Sequence, residues 1–305
     1  MKSILAALTT LIICCSVSAQ YKIGILPRTS PDKGIYEQIG YTGVEITYGA
    51  PKMNGREIWG KIVPYDQVWR AGANDATRIE FSEDVEIDGN ILPRGLYSLF
   101  IIPHKTGAWT VIFNSNYDQW GAFGYDEYQD VLRVEVKPKK ITNQEKLSYS
   151  IDGISYDEGI VSMRWADVQL DILINTKYLE LLQREIEISA SSADQEIASV
   201  IYLQGAEYLL RRGQHLDIAS NWIDKSQELY DPNSEWNPEY YPRKYILGHM
   251  HWTKAKILAA NSEYEMAIAY AKKMKLIKGG DINYYSEEQE YEKIDTQIAD
   301  WESKL

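Results

Sequence analysis

The chain has 305 residues, 45% of them hydrophobic and 25% charged, with a formal net charge of −12. That acidity argues against a protein that tracks nucleic acid, which needs clustered Lys and Arg, and against adsorption to anionic lipid. The length is ample for one or two hydrophobic cores.

The first residues, Met1-Lys2-Ser3, precede an apolar run from Ile4 to Cys15 and then Ser16-Val17-Ser18-Ala19. One positive charge, a short apolar stretch and a small-x-small end are the parts of a secretory signal, so residues 1–19 are expected to be cleaved after Ala19. The run is shorter than the roughly 20 residues a membrane span requires, so the mature chain is expected to lack a transmembrane segment. Lipidation would need a small residue before the cysteine, and Ile13 and Cys14 stand before Cys14 and Cys15. The expectation is therefore a soluble, exported protein, periplasmic or extracellular. Both cysteines of the chain lie inside the signal, so the mature part has no thiol for a disulfide, a nucleophile or a metal. Loss of Lys2 adds one to the net negative charge, which favours solubility.

A spacer covers residues 20–32. Over 33–175 turn chemistry recurs about every eight to twelve residues, at Asn54-Gly55, Asp88-Gly89-Asn90, Pro93-Arg94-Gly95, Thr106-Gly107, Asp152-Gly153 and Glu158-Gly159. Between these marks the apolar residues have period two: Val44, Ile46 and Tyr48; Ile79 and Phe81; Leu132, Val134 and Val136; Val161, Met163 and Trp165. Strands apolar on one face must pack against a second sheet or close on themselves. The segment Tyr97 to Ile102 is apolar on both faces and reads as a central strand ended by Pro103. The region reads as an antiparallel β-sandwich or a jelly-roll-like domain.

From residue 176 to 305 the period becomes helical. Leu216, Ala219, Trp222, Ile223, Ser226, Leu229 and Tyr230 form one apolar stripe, and Tyr264, Ala267, Ile268, Ala271, Met274 and Ile277 form another, ended by Gly279-Gly280. Further helices are expected near 177–189, 193–212, 239–260 and 284–303, with a loop between Pro232 and Pro238. The whole is α+β with the two classes segregated. Two stretches, 206–229 and 255–277, read as helix, short turn, helix with a small Ala early in the second helix. They resemble the helical hairpin of tetratricopeptide repeats, although Ala219 and Ala267 are 48 residues apart rather than about 34. Stacked hairpins offer a concave surface, so this region is expected to dock an envelope protein.

The densest run of unusual residues is Trp69-Arg70-Ala71-Gly72-Ala73-Asn74-Asp75-Ala76-Thr77, between two strands. Gly55-Arg56-Glu57-Ile58-Trp59-Gly60 precedes it. The Pro93 to Pro103 strand and the stretch from Trp120-Gly121 to Asp130 and Arg133 follow. On these four motifs, taken in order, residues 33–175 resemble a secreted bacterial family known only as domain of unknown function 2911. The resemblance implies a fold and export, and no activity.

Chemically, Arg70, Asn74 and Thr77 could offer a guanidinium, a carboxamide and a hydroxyl to one ligand, the guanidinium suiting a carboxylate or phosphate. The plainer reading is that Arg70 and Asn74 satisfy backbone groups, with Gly72 allowing an unusual backbone angle. Among the tryptophans, Trp109 and Trp165 sit in alternating strands and should face the core. Trp120, in the polar loop with Asp118, is the one suited to stack on a sugar. The expected ligand-binding set is therefore Trp69, Arg70, Asn74, Thr77, Asp118 and Trp120, for a glycan or a small anion. Asp118, Asp126, Glu127 and Asp130 could hold calcium or act as an acid–base pair, but no EF-hand spacing is present. His249 and His251 are two apart on a helix and cannot form an i,i+4 zinc pair. No Walker loop, nucleophile elbow or dinucleotide fingerprint occurs, and neither a cofactor nor a catalytic residue is expected. The leading expectation is a non-catalytic binding protein. The alternatives are a carbohydrate-active or small-molecule enzyme using Arg70, Asn74 and the loop near Asp118, and a purely structural envelope module.

Overall fold

A computed structural model describes residues 27–234, 243–276 and 287–305. The expected signal, the spacer up to residue 26, Pro238, Ile277 and the Gly279-Gly280 helix stop lie outside the described residues. The chain divides into two compact units between Thr176 and Lys177. No described helix is long and apolar enough to cross a membrane.

The first unit contains two antiparallel sheets. Six strands, β1 (Asp32–Ile39), β2 (Thr42–Gly49), β3 (Ala73–Phe81), β6 (Gly95–Ile102), β7 (Trp109–Asn114) and β8 (Asp130–Val136), form one sheet in that order. The second has the order β5-β4-β10-β9, from β4 (Val85–Ile87), β5 (Asn90–Leu92), β9 (Lys139–Gly153) and β10 (Glu158–Asn175). The short β4–β5 hairpin turns on Asp88 and Gly89, with φ of 51° and 74°. Both angles positive is what a two-residue turn matching strand twist requires.

The period-two residues meet between the sheets. Val44, Ile46, Ile79, Phe81, Leu99, Val111 and Phe113 from the first share one core with Leu147, Val161, Met163, Trp165, Leu170 and Ile172 from the second. Each such side chain contributes about 1.5–3 kcal/mol on burial. Tyr149 crosses the interface, donating its hydroxyl to the Ala71 carbonyl at 2.7 Å, while its N–H donates to the Tyr48 hydroxyl at 3.2 Å. Trp59 packs edge-on against Trp69, Trp109 and Trp165 with ring centroids 4.7–5.8 Å apart. Trp109 and Trp165 therefore face inward, as their alternation predicts.

β6 is central, and its second face is covered too. Phe100, Ile112 and Ala76 form a smaller cluster on the outer side of the sheet, capped by Ala122 and Tyr125 from the long β7–β8 connection. That cover explains why β6 is apolar on both faces.

The second unit is helical: α1 (Tyr178–Ser191), α2 (Gln195–Arg212), α3 (Leu216–Leu229), α4 (Arg243–Ala260), α5 (Tyr264–Leu276) and α6 (Glu287–Glu302). Helices α2 and α3 form an antiparallel hairpin around Gly213, whose φ of 64° ends α2 in the left-handed turn glycine favours. Ser199 and Ser226 exchange hydroxyl-to-carbonyl bonds of 2.8 and 2.7 Å across this hairpin. Helices α4 and α5 pack as the next pair. Ala219 and Ala267, the small residues of the two stripes, are both fully buried. Their size lets the paired helices approach closely.

Candidate functional site

The run from Trp69 to Thr77 enters β3 through an irregular backbone. Trp69 is bridged to Ile101 of β6 by N–H···O bonds of 2.8 and 2.9 Å, its ring stacks on Trp165, and its indole N–H donates to the Gly72 carbonyl. Positive φ falls on Ala71 (54°) and Asn74 (66°), not on Gly72. Gly72 is required by space instead: a Cβ there would lie 2.6 Å from the Thr77 hydroxyl and 3.2 Å from the Gly49 carbonyl. The expected reason for this glycine is thus corrected from angle to close approach. Thr77 is fully buried, with its hydroxyl on the Ala71 carbonyl at 3.1 Å and its N–H on the Arg70 carbonyl. The Asn74 amide donates to the Ser30 carbonyl at 2.9 Å. Trp69, Asn74 and Thr77 are therefore engaged with the protein itself.

The loop after β7 is pinned at its base. Asn114, fully buried, donates to the Asp126 carbonyl and to the Asp130 carboxylate, and accepts from the Asn116 N–H. Tyr125 donates its hydroxyl to Asp130 at 2.7 Å, and Arg133 donates to both Asp130 and Tyr125. Burial first, then the Asp130 carboxylate, push the Tyr125 hydroxyl up to about 12. Asp126 accepts from the Tyr128 N–H and caps a short 3-10 turn. The carboxylates considered for calcium are therefore largely held by protein donors. No group of three or more His, Cys, Asp and Glu among the described residues could hold a metal ion.

Farther along, the loop is stitched to the start of β3. The Ala76 N–H donates to the Gln119 carbonyl, and the Gly121 N–H to the Asn74 carbonyl, each across 3.1 Å. This brings the stretch Gln119 to Gly121 beside Arg70 and the start of β3, although some 40 residues separate the two runs. Asp118 pairs with Arg78 at 3.3 Å. Trp120 is 57% exposed, with the Arg28 guanidinium 5.7 Å from its ring centroid. Arg28 itself is held by Asp75 and Asp32 at 3.0 and 3.1 Å.

Arg28, Arg78 and Arg133, around this loop, each face a carboxylate. Arg70 does not. Its guanidinium has no ion pair or hydrogen bond among the described residues, and its Nε is buried without a partner. Burial alone lowers its pKa. A guanidinium remains charged in a protein, so desolvation without compensation is a cost the fold carries.

Space beside Arg70 is kept by Gly121, which has φ of 69°. A Cβ at Gly121 would lie 3.8 Å from Arg70 Nη1 and 3.2 Å from the ring of Phe123. Phe123 is 90% exposed. It belongs beside Arg70 and Trp120, and sequence reasoning missed it. The available signal was a large apolar residue between Gly121-Ala122 and Gly124, within an otherwise polar loop. The face thus combines an unpaired, half-buried cation with two exposed aromatic rings, an arrangement suited to a ligand with an anionic group and an apolar body.

Residues 30–174 match the family described as protein of unknown function (DUF2911). The β unit is a member of that family. No curated protein and no solved structure matches the chain.

Proposed function

We propose that this DUF2911 member is an exported, non-catalytic binding protein whose β unit holds a small ligand by a carboxylate or phosphate group on Arg70. One observation carries the reading: Arg70 is half-buried, lacks a counter-ion among the described residues and has an unpartnered Nε. Its planar fork matches a carboxylate or phosphate through two parallel hydrogen bonds. The exposed rings of Trp120 and Phe123 supply contact for the rest of the ligand. Export is supported by the N-terminal charge, apolar run and Ser-Val-Ser-Ala end.

The helical unit, with its consecutive helical hairpins, is proposed to dock an envelope protein. The enzymatic alternative needs Asn74 and Asp118 free to act with Arg70. The Asn74 amide is engaged by Ser30 and Asp118 pairs with Arg78, which favours binding over catalysis. A thermal-shift screen of the mature protein against phosphate, citrate and glucuronate tests the reading. At least one should raise the melting temperature in wild type and fail to do so in Arg70→Met. Equal shifts in both proteins would reject it.

A further inference from the structure

The Gly55 to Gly60 run is a hallmark that the Arg70 face does not use. Its arginine is spent on backbone: Arg56 donates to the Met53 and Lys52 carbonyls at 2.8 and 2.7 Å. Glu57, Ile58 and Trp59 of the run line a separate cavity of about 510 Å³ in the β unit. That volume lies within the roughly 300–1,000 Å³ of small-molecule sites. Trp59, Tyr65 and Trp109 form its aromatic side, and Glu57, Asn143 and Asp167 contribute polar groups.

Several independent features shape this cavity. Gly60, at φ of 80°, is the second glycine of the run, and a Cβ there would lie 2.6 Å from the Tyr65 ring. The glycine therefore seats Tyr65 against the wall. Opposite, the β9–β10 ladder breaks register on both sides of Ala166, which takes φ of 50°. Such bulges re-aim neighbouring side chains, and Ala166, Asp167 and Val168 all line the cavity. His104, on the rim, is tied by its Nδ1 to Asp66 at 2.6 Å, which fixes the β6–β7 turn beside the opening.

The polar groups define the ligand. Trp59 is only 8% exposed, and its indole N–H is buried with no acceptor among the described residues. The exposed carboxylates of Glu57 and Asp167 have no ion pair among those residues. A bound molecule would donate hydrogen bonds to these two carboxylates. An organic cation would meet Lys105 on the rim, whereas an anion would meet both carboxylates. Hydroxyl groups donate to carboxylates without carrying a charge, and the C–H face of a sugar ring suits the half-buried Tyr65 ring.

We infer that this cavity is a second binding site, separate from Arg70, for a short neutral saccharide. The test is titration of the full mature chain with maltose, cellobiose and chitobiose, followed by intrinsic tryptophan fluorescence. At least one should give a saturable change. Glu57→Gln and Asp167→Asn, both at exposed positions that leave the core intact, should each weaken it about tenfold, as loss of a charge-assisted hydrogen bond does. No saturable response to any of the three sugars overturns the inference. So does an affinity unchanged in both variants, or a response to choline in place of the sugars. Phosphate titration reads the Arg70 site separately, so the two proposals stand or fall independently.

Discussion

The Gly121 N–H donates to the Asn74 carbonyl across 3.1 Å, and this bond closes the gap between two sequence-distant motifs. Asn74 sits at φ of 66° and Gly121 at 69°, so both ends of the bond use left-handed backbone. The consequence is a fixed notch in which Arg70 Nη1 lies beside the glycine with no side chain between it and Phe123. Rigid placement matters because a preformed site loses less entropy on binding.

Replacing Arg70 separates stability from binding. Arg70→Met keeps much of the aliphatic packing and removes a desolvated, unpaired guanidinium, so unfolding in urea should show a gain of about 1 kcal/mol. The same variant should no longer be stabilised by the anion that shifts wild type. Arg70→Lys keeps the charge, loses the planar fork and should bind more weakly than wild type.

Gly121→Ala should harm both properties. A residue with a Cβ is strained at φ of 69°, and the methyl would press on the Phe123 ring. A loss of about 1 kcal/mol in urea unfolding is expected, together with weaker anion binding in a direct titration.

Tyr125 ties the loop to β8, and its titration gives a pH signature. The fold raises this hydroxyl from its ordinary 10 to about 12, burial being the leading cause and Asp130 the next. The associated stability is fully present below pH 10 and is lost as pH rises through 10 to 12. Urea unfolding across that window should fall less steeply for Tyr125→Phe than for wild type. At pH 7 the variant should cost about 1 kcal/mol for the lost hydrogen bonds.

In the helical unit, Gly205→Ala sets two effects against each other. Helix propensity alone would favour alanine by about 1 kcal/mol. A Cβ at Gly205 would lie 2.9 Å from the buried Trp222 ring, and overpacking of that kind costs about 1–3 kcal/mol. The steric effect should win, and the variant should melt below wild type.

Much of this fold was legible because burial follows simple periods. Val44, Ile46 and Tyr48 alternate and are buried; Ala219 and Ala267 mark the close faces of paired helices. Turn chemistry at Asp88-Gly89 was equally plain. The candidate site was legible in part: Arg70 and Trp120 stand out by type and setting, and the contrast in exposure between Trp120 and the inward Trp109 and Trp165 follows from loop versus strand. Local pattern could not reveal which polar groups have partners. Asn74 reaches Ser30 and Thr77 reaches Ala71 through backbone geometry that no spacing encodes. Gly72 illustrates the same point, since its need for space arises from Gly49 and Thr77. The cavity was hidden for a related reason: its wall is assembled from segments near residues 57, 105, 143 and 167, and an orphaned indole N–H is visible only once the core is packed.

The central claim concerns one nitrogen, and arginine side-chain NMR observes it directly. In a ¹H–¹⁵N spectrum of the mature protein, the Arg70 Nε–H resonance is identified by its absence from Arg70→Met. Adding the anion that gives the largest thermal shift should move that resonance saturably while the Arg133 Nε–H, already bonded to Asp130, stays in place. An Arg70 resonance that does not move while the anion still stabilises the protein would contradict the account.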